Sequence, residues 1–197
     1  MGRAPRIEYE GAVYHVTNRG NGQEMIYREE ADWKAFLGIM SDVASEFGWR
    51  IYTYCLMGNH YHLLLETPQP NLSQGMQELD QEYTRRYNWR YEHSGHVFQD
   101  RYWPGLVVND NYLIDAASYL LLNPLRAQLV HSPEEWRWRL WLALSRRLHG
   151  SIWTGCRSIS VVRPGTRMVH SCPMSGSASA SRVRRTWRSS VTSPAEM

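Results

Sequence analysis

The amino-acid sequence predicts an α+β fold of the ferredoxin-like, split βαβ type, with two helices on one face of an antiparallel sheet. Two patterns support this prediction: short segments in which apolar and polar residues alternate, and longer segments with apolar residues at helical spacing. Over residues 8–109 they follow the order strand, helix, strand, strand, helix, strand, which is that of the split βαβ unit. With 197 residues, the chain can bury one proper core but is short for two.

The first half of the unit contains three predicted strands and one predicted helix. Residues 11–18, GAVYHVTN, alternate and are rich in β-forming residues, which predicts the first strand. Residues 29–47 place apolar side chains at the spacing of an amphipathic helix. Residues 50–57 and 60–67 are predicted to form an antiparallel hairpin, because only Gly58-Asn59 separates them.

The second half adds a helix and a strand, and further helical patterns follow it. Residues 72–91 predict a long amphipathic helix, and residues 101–108 predict the fourth strand. Residues 111–123 are helical in pattern, and Pro124 is expected to end that helix. The segment SPEEWRWRLWLALSRRL begins with a potential capping residue, Ser132, which predicts a last helix.

Composition narrows the class of protein. The sequence contains no run of 18 apolar residues, and its first residues lack the apolar region of a signal peptide, so we predict a soluble cytoplasmic protein with no membrane partner. The three cysteines are widely spaced and form no CxxC pair. Neither a disulfide framework nor a cysteine zinc site is therefore indicated.

The last quarter of the sequence differs in composition from the rest. Residues 151–197 contain eleven serines and seven arginines, with almost no apolar periodicity. The net charge is +3, yet residues 1–150 carry 15 Lys+Arg against 18 Asp+Glu, so the excess of positive charge belongs to the tail. We predict a catalytic domain over residues 1–148 and a Ser/Arg-rich tail over 149–197, which is either disordered or the product of a frameshift in a GC-rich gene.

Two histidines begin the third predicted strand, in the segment MGNHYHLLLET. Residues i and i+2 of a strand point to the same face, so His60 and His62 project together while Tyr61 points to the opposite face. Two imidazoles on one face can chelate a divalent ion, although a third ligand must come from elsewhere. The alternative is that both histidines are exposed on the strand or are hydrogen-bonded residues of the core.

A second segment, DAASYLLLNP, offers the missing groups. On a helix over residues 111–123, Tyr119 and Asn123 are four residues apart and share one face. A phenol and an amide oxygen would then reach the same place. The alternative is a tyrosine of the core, with Asn-Pro serving only to stop the helix.

The segments NHYHLLLE, GHVFQDRYWPGLV and YLLLNPLRAQLV, in this order and at these spacings, resemble the HUH-type single-tyrosine transposases of insertion sequences, and in particular the REP-associated tyrosine transposases of bacteria. The resemblance extends from about Ile7 to Trp138. It implies that His60, His62 and Asn123 bind Mg²⁺ or Mn²⁺, and that Tyr119, on the helix after the ferredoxin-like unit, is the nucleophile. It also implies single-stranded DNA with hairpins as the substrate, a monomer or homodimer, and work at the bacterial nucleoid.

Other residues are candidates for DNA contacts or for packing. Tyr83, Tyr87 and Tyr91 lie four residues apart on the second helix and predict a packing face. Arginines beside this stripe and before the fourth strand are candidate phosphate ligands, and the aromatic pair that follows could stack on bases or be buried. These candidates are Arg85, Arg86, Arg90 and Arg101, and the aromatic residues Tyr102 and Trp103.

The leading prediction is a metal-dependent transposase or nickase that cuts and rejoins single-stranded DNA. Attack by Tyr119 on a phosphodiester would leave a 5′-phosphotyrosine and a free 3′-OH, which conserves the bond for rejoining. Two alternatives remain at this stage. One is a non-catalytic nucleic-acid-binding module of ferredoxin-like fold, and the other is an inactive, decayed transposase with a frameshifted tail.

Overall fold

A computed structural model describes residues 6–140 of the chain. The predicted domain boundary at residue 148 and the predicted tail over 149–197 lie outside the described residues. Within the described part, the elements follow the predicted order. The strands are β1 (Ala12–Arg19), β2 (Arg50–Leu56), β3 (His60–Thr67) and β4 (Trp103–Leu106), and the helices are α1 (Glu30–Glu46), α2 (Leu72–Tyr91) and α3 (Asp110–Arg126).

The four strands form one antiparallel sheet in the order β2-β3-β1-β4, which confirms the predicted α+β fold. The hairpin of β2 and β3 closes where Met57 donates its backbone N–H to the carbonyl of His60 at 2.8 Å. β4 is shorter than the predicted strand over residues 101–108. None of the helices in residues 6–140 combines the length and the apolar character that crossing a bilayer requires.

Helices α1 and α2 cover one face of the sheet, as the split βαβ prediction requires. Their apolar sides meet alternate residues of the strands, because side chains on a strand alternate between its two faces. The tyrosine stripe of α2 is part of this core, which confirms its predicted packing role: Tyr83 and Tyr87 are buried, and their hydroxyls donate to the carbonyls of Ile26 and Met25 at 2.5 Å and 3.1 Å. The strands contribute Tyr14, Val16, Tyr61, Leu63 and Leu65 to this core.

Helix α3 packs on the opposite face of the sheet. Its buried residues form a second, smaller cluster with the alternate residues of the strands. Leu113, Ala117 and Leu120 pack here with Leu64 of β3 and Val13 of β1. Because His60 and His62 alternate with Tyr61 and Leu63, they point to this same face, toward α3 rather than toward α1 and α2.

The prediction that α3 ends before Pro124 was wrong, because the helix continues to Arg126 with Pro124 inside its last turns. Proline lacks an N–H group, so the carbonyl four residues earlier loses one partner. Pro124 is buried, and the helix is closed by the backbone N–H of Ala127, which donates to the carbonyl of Asn123 at 2.9 Å. Apolar burial of this turn offsets the missing hydrogen bond.

Residues 132–140, the described part of the last predicted helix, do not form an α-helix. A short 3₁₀ turn at Pro133–Glu135 is followed by extended chain that lies beside β2. The backbone N–H of Leu56 donates to the carbonyl of Trp138 at 2.9 Å, and that of Leu140 to the carbonyl of Tyr54 at 3.1 Å. The sequence here, WRWRL, alternates with a period of two, which is the pattern of a strand and not of a helix.

Candidate functional site

The histidine pair of β3 lies beneath α3. The imidazole rings of His60 and His62 have their centroids 5.1 Å apart and are almost perpendicular. The Nδ1 atom of His60 is 2.7 Å from Oδ1 of Asn59, and a neutral imidazole donates one hydrogen bond to such an oxygen. Donation from Nδ1 leaves a lone pair on Nε2, so His60 has a nitrogen available for a ligand or a metal.

A third histidine, His15 of β1, completes the cluster. Thr17 pairs with His62 across the sheet, which makes His15 the diagonal neighbour of His62 on the same face. Its Nε2 atom lies 3.1 Å from Nδ1 of His62, within hydrogen-bond distance. Sequence reasoning missed His15. The available signal was a polar residue in the middle of the apolar segment GAVYHVTN, but only the strand register reveals its partner.

Helix α3 brings Tyr119 to the histidines. The ring centroid of Tyr119 lies 5.9 Å from that of His62 and 6.4 Å from that of His15, edge-on in both cases. Tyr119 is 43% exposed, although it lies next to a buried cluster. The structure therefore brings together a histidine pair and an accessible phenol from one chain, which the sequence linked only through the resemblance.

Asn123 lies one helical turn after Tyr119, on the same face of α3. Within the described residues, its Nδ2 atom is buried and has no hydrogen-bond partner. A buried N–H group without a partner costs about 1–3 kcal/mol, so this amide is better satisfied when another group binds. Rotation of the amide would present Oδ1 in place of Nδ2.

Burial keeps all three histidines neutral at pH 7. It lowers the pKa of His15 to about 4. The pKa of His62 is lowered well below its usual value, chiefly by burial and then by the charges that His15 and His60 would carry. Burial and the positive charge of Arg19 lower the pKa of His60. Neutral imidazole is the form that binds metal ions, so the cluster needs no deprotonation before coordination.

The donor set fits a divalent cation with mixed nitrogen and oxygen ligands. Residues 6–140 contain no group of three or more His, Cys, Asp or Glu arranged as a metal site. The third donor would instead be the Asn123 amide, whose unpartnered state is described above. Two imidazole nitrogens and one amide oxygen leave coordination positions open for substrate, as a catalytic metal requires. The residues thus fit a divalent cation, and the two imidazoles do not by themselves select Mg²⁺ or Mn²⁺ over other divalent ions.

Two arginines flank this cluster. The guanidinium carbon of Arg126 lies 5.0 Å from the centroid of the Tyr119 ring, seven residues along the same helix. Arg19, opposite His60 in the pairing of β1 and β3, donates from Nε and Nη2 to Oε1 of Gln99 at 3.2 Å and 2.9 Å. The site therefore has positive charge on two sides, which suits a phosphate group.

The arginines that the sequence singled out on α2 are not near this cluster. α2 lies on the other face of the sheet, and Arg85 pairs with Glu82 while Arg90 pairs with Glu29 at 2.5 Å. Arg86 is exposed on the same helix, and Arg101 is exposed on the chain that leads into β4.

The two aromatic candidates before β4 have different surroundings. Tyr102 is 6% exposed, with the guanidinium of Arg6 3.9 Å from its ring centroid and its hydroxyl 3.3 Å from Oγ of Ser73. Trp103 is 52% exposed. Tyr102 therefore packs inside the protein in this structure, whereas Trp103 has an accessible ring.

Fold and site together define an α+β protein of the split βαβ type with a histidine pair facing a tyrosine on the following helix. A model of the family "Transposase IS200 like" matches residues 8–120, which is more than half of the chain. The chain belongs to this family of IS200-like transposases. Membership assigns it to the proteins of DNA transposition, and DNA binding is a property of that class. The matched region includes His60, His62 and Tyr119 and ends before Asn123.

A solved structure resembles the chain in fold. A REP-associated tyrosine transposase bound to a REP hairpin has a TM-score of 0.61 and 14% sequence identity, and the match covers 86% of this chain and 100% of that one. A crystal structure of a putative transposase from Deinococcus radiodurans has a TM-score of 0.43 and 21% identity, covering 60% of this chain and 93% of that one. No curated protein sequence matches the chain significantly.

Proposed function

We propose that the protein is a metal-dependent, single-tyrosine transposase that cuts and rejoins single-stranded DNA beside hairpin sequences. The observation that supports this function best is the position of Tyr119, whose ring centroid lies 5.9 Å from that of His62. The Tyr119 side chain is 43% exposed beside three neutral histidines, so a phosphate of bound DNA can reach it. Family membership supports the same class of chemistry.

In the proposed reaction, the hydroxyl oxygen of Tyr119 attacks the phosphorus of a phosphodiester. A new bond forms between this oxygen and phosphorus, the bond to the 3′ oxygen breaks, and the phenolic proton is lost while the leaving oxygen takes one up. The products are a 5′-phosphotyrosine and a free 3′-OH. Attack of a 3′-OH on the phosphotyrosine reverses these steps and joins the strands, so no external energy source is needed.

Tyrosine has an ordinary pKa near 10 and is a weak nucleophile at neutral pH, so the phosphate must be activated. When bound, Mg²⁺ or Mn²⁺ would act as a Lewis acid that polarises the phosphate oxygens. His60 and His62 would hold the ion through their Nε2 atoms, and Asn123 through its amide oxygen. Arg126 and Arg19 are suited to neutralise the remaining negative charge on the phosphate.

Single-stranded DNA with a hairpin is the proposed substrate. The similar structure described above is bound to a REP hairpin, which supports the choice of a hairpin for this chain as well. A hairpin stem needs contacts to its phosphate backbone, for which Arg86 and Arg101 are exposed, while Arg85 and Arg90 could exchange their carboxylate partners for phosphates.

Because Tyr119 and the histidines meet within one chain, a monomer would have a complete site, and a homodimer could have two. Tyr102 is buried and is proposed to support the chain before β4 rather than to stack on DNA. A protein that acts on chromosomal hairpins would work in the bacterial cytoplasm, at the nucleoid.

The test is formation of a covalent protein–DNA adduct. The full chain is incubated with Mn²⁺ and a labelled hairpin oligonucleotide that has single-stranded flanks, and adducts are resolved by denaturing electrophoresis. We expect an adduct that disappears in Tyr119→Phe and in His60→Ala. Tyr112→Phe is the matched control, because Tyr112 is also on α3 and is 40% exposed.

Two results would contradict the proposal. DNA binding without any adduct, unchanged in His60→Ala, would indicate the non-catalytic nucleic-acid-binding module. An adduct that persists in Tyr119→Phe would show that another residue is the nucleophile. An adduct formed by the full chain would also exclude the decayed transposase, because that product is inactive.

A further inference from the structure

An exposed indole lies on the site face of the sheet, one strand away from the histidine pair. Trp103 begins β4, an edge strand, and pairs with Thr17 of β1, which pairs on its other side with His62 of β3. Residues directly opposite each other in a sheet point to the same face. Trp103 and His62 therefore flank Thr17 on the face that carries Tyr119.

The indole is held in place from two sides. Its six-membered ring lies over Gly105, where an added Cβ would come within 2.6 Å of the ring, so only glycine leaves room for the ring. The ring of His15 meets the indole edge-on, with centroids 6.2 Å apart. Trp103 is nonetheless 52% exposed. One side of the indole is thus supported by the protein, and a large area remains open to solvent.

We propose that Trp103 is a stacking platform for an unpaired nucleobase next to the scissile phosphate. This inference rests on the proposed function and names a subsite of it. Every nucleobase has a π-face, so a rigid, exposed indole binds single-stranded DNA with little sequence preference. The same histidine, His15, contacts both Trp103 and Tyr119, which makes the platform continuous with the site.

Two features distinguish Trp103 from an ordinary surface tryptophan. It is fixed by Gly105 and His15, so little rotamer entropy remains to be lost when a base binds. Arg126 and Arg19 place positive charge around the same face, where the backbone of the strand would pass. Trp89, by contrast, is 83% exposed on α2, which covers the other face of the sheet.

The test measures DNA binding separately from cleavage. All variants of the full chain are made in a Tyr119→Phe background, and their Kd for a fluorescein-labelled hairpin with oligo-dT flanks is measured by anisotropy with Mn²⁺. We expect Trp103→Ala to weaken binding about 5- to 150-fold, the range that loss of one base–aromatic stack produces. Trp103→Phe should recover most of the affinity, and Trp89→Ala is the matched control that should leave it unchanged.

Abasic oligonucleotides locate the stacked base from the DNA side. Removal of one particular flanking base should weaken DNA binding by the chain that retains Trp103 as much as Trp103→Ala does. The base removal and Trp103→Ala together should weaken binding no more than either change alone. Additive losses, or equal losses in Trp103→Ala and Trp89→Ala, would overturn the inference. If the chain forms the Tyr119 adduct but Trp103→Ala does not change the Kd for DNA, the proposed function stands and only this subsite is refuted.

Discussion

The Nε2 atom of His15 lies 3.1 Å from Nδ1 of His62, and this hydrogen bond couples the tautomer of one imidazole to that of the other. If His62 donates from Nδ1, its Nε2 has a lone pair for a metal; if His15 donates, Nε2 of His62 carries the proton. Metal binding requires the first arrangement. For the metal site proposed above, His15 would therefore be a positioning residue that acts through His62.

Replacement of His15 tests this role. His15→Phe should lower Mn²⁺ affinity about 10- to 100-fold, as loss of an outer-shell partner does, because His62 would no longer be held in the required tautomer. His15→Gln should recover part of the affinity, because its amide oxygen can accept the proton of Nδ1. Calorimetry gives the affinities, and ¹⁵N NMR shifts of the metal-free protein report the tautomer of His62. Equal affinities for all three chains would exclude the role.

Arg126 should act on the reaction and not on metal binding. Its guanidinium carbon is 5.0 Å from the centroid of the Tyr119 ring, where it can stabilise the developing phenolate and the phosphate oxygens. We expect Arg126→Ala to slow adduct formation on the order of 10²-fold, the effect typical of losing one stabilising donor, and Arg126→Lys to slow it less. Single-turnover kinetics measures the rate.

The control for Arg126 is Lys34→Ala, which removes one exposed positive charge from α1, on the other side of the sheet. Its rate should match that of the unaltered chain. If Lys34→Ala and Arg126→Ala slow the reaction equally, the effect of Arg126 would be one of general attraction for DNA and not of its position beside Tyr119.

Asp80 should make stability fall as the pH rises. Its carboxylate accepts hydrogen bonds from the Tyr61 hydroxyl at 2.7 Å and from Asn18 Nδ2 at 2.9 Å. Burial raises the pKa of Asp80 to about 7, against the lowering by these two hydrogen bonds. The folded state therefore holds this proton more tightly than the unfolded chain, whose aspartate has a pKa near 3.9.

The stabilising contribution of protonated Asp80 is complete below about pH 4 and is lost as the pH rises through 7, by an amount of about 4 kcal/mol. Urea unfolding of the wild-type chain and of Asp80→Asn between pH 4 and 8 measures it, because the difference between the two curves removes the contributions of the histidines. Asp42→Asn, an exposed aspartate of α1, should leave the curve unchanged. Parallel curves for wild type and Asp80→Asn would contradict the assignment.

The stack of Trp138 on Trp33 should anchor the extended segment to α1. The two rings are almost parallel, with centroids 5.2 Å apart. Trp138→Ala should lower the free energy of unfolding by about 2 kcal/mol, less than the value for a fully buried tryptophan because Trp138 is only partly buried. Trp89→Ala should change it by less than about 0.5 kcal/mol, as expected for a surface position. Chemical denaturation compares the two, and similar losses would refute the anchoring role.

The sequence was sufficient for the order and type of the main elements. Strand and helix patterns in a sequence arise because one face of each element is buried. In β1 to β4 and in α1 to α3, the face that the pattern predicts to be buried is the face that packs in the structure. Failures occurred where two signals competed. Pro124 suggested a helix end, yet its turn is buried, and the capping Ser132 suggested a helix where WRWRL alternates as a strand does.

Of the candidate site, sequence reasoning found the residues that lie on one element and missed those that depend on contacts between elements. His60 and His62 are two apart on one strand, and Tyr119 and Asn123 are four apart on one helix. His15 and Arg126 were missed, because the first depends on the register between β1 and β3 and the second on where α3 ends. Neither property is encoded by local spacing.

The chain that follows Glu135 also affects how copies of this protein can meet. β2 lies at the edge of the sheet, where unpaired N–H and C=O groups can recruit a strand from another molecule. Here the backbone groups of Leu56 and Tyr54 are taken by Trp138 and Leu140 of the same chain. A second copy can pair with Tyr54 and Leu56 only after it displaces this segment, so residues 136–140 protect the end of β2 from strand exchange and aggregation.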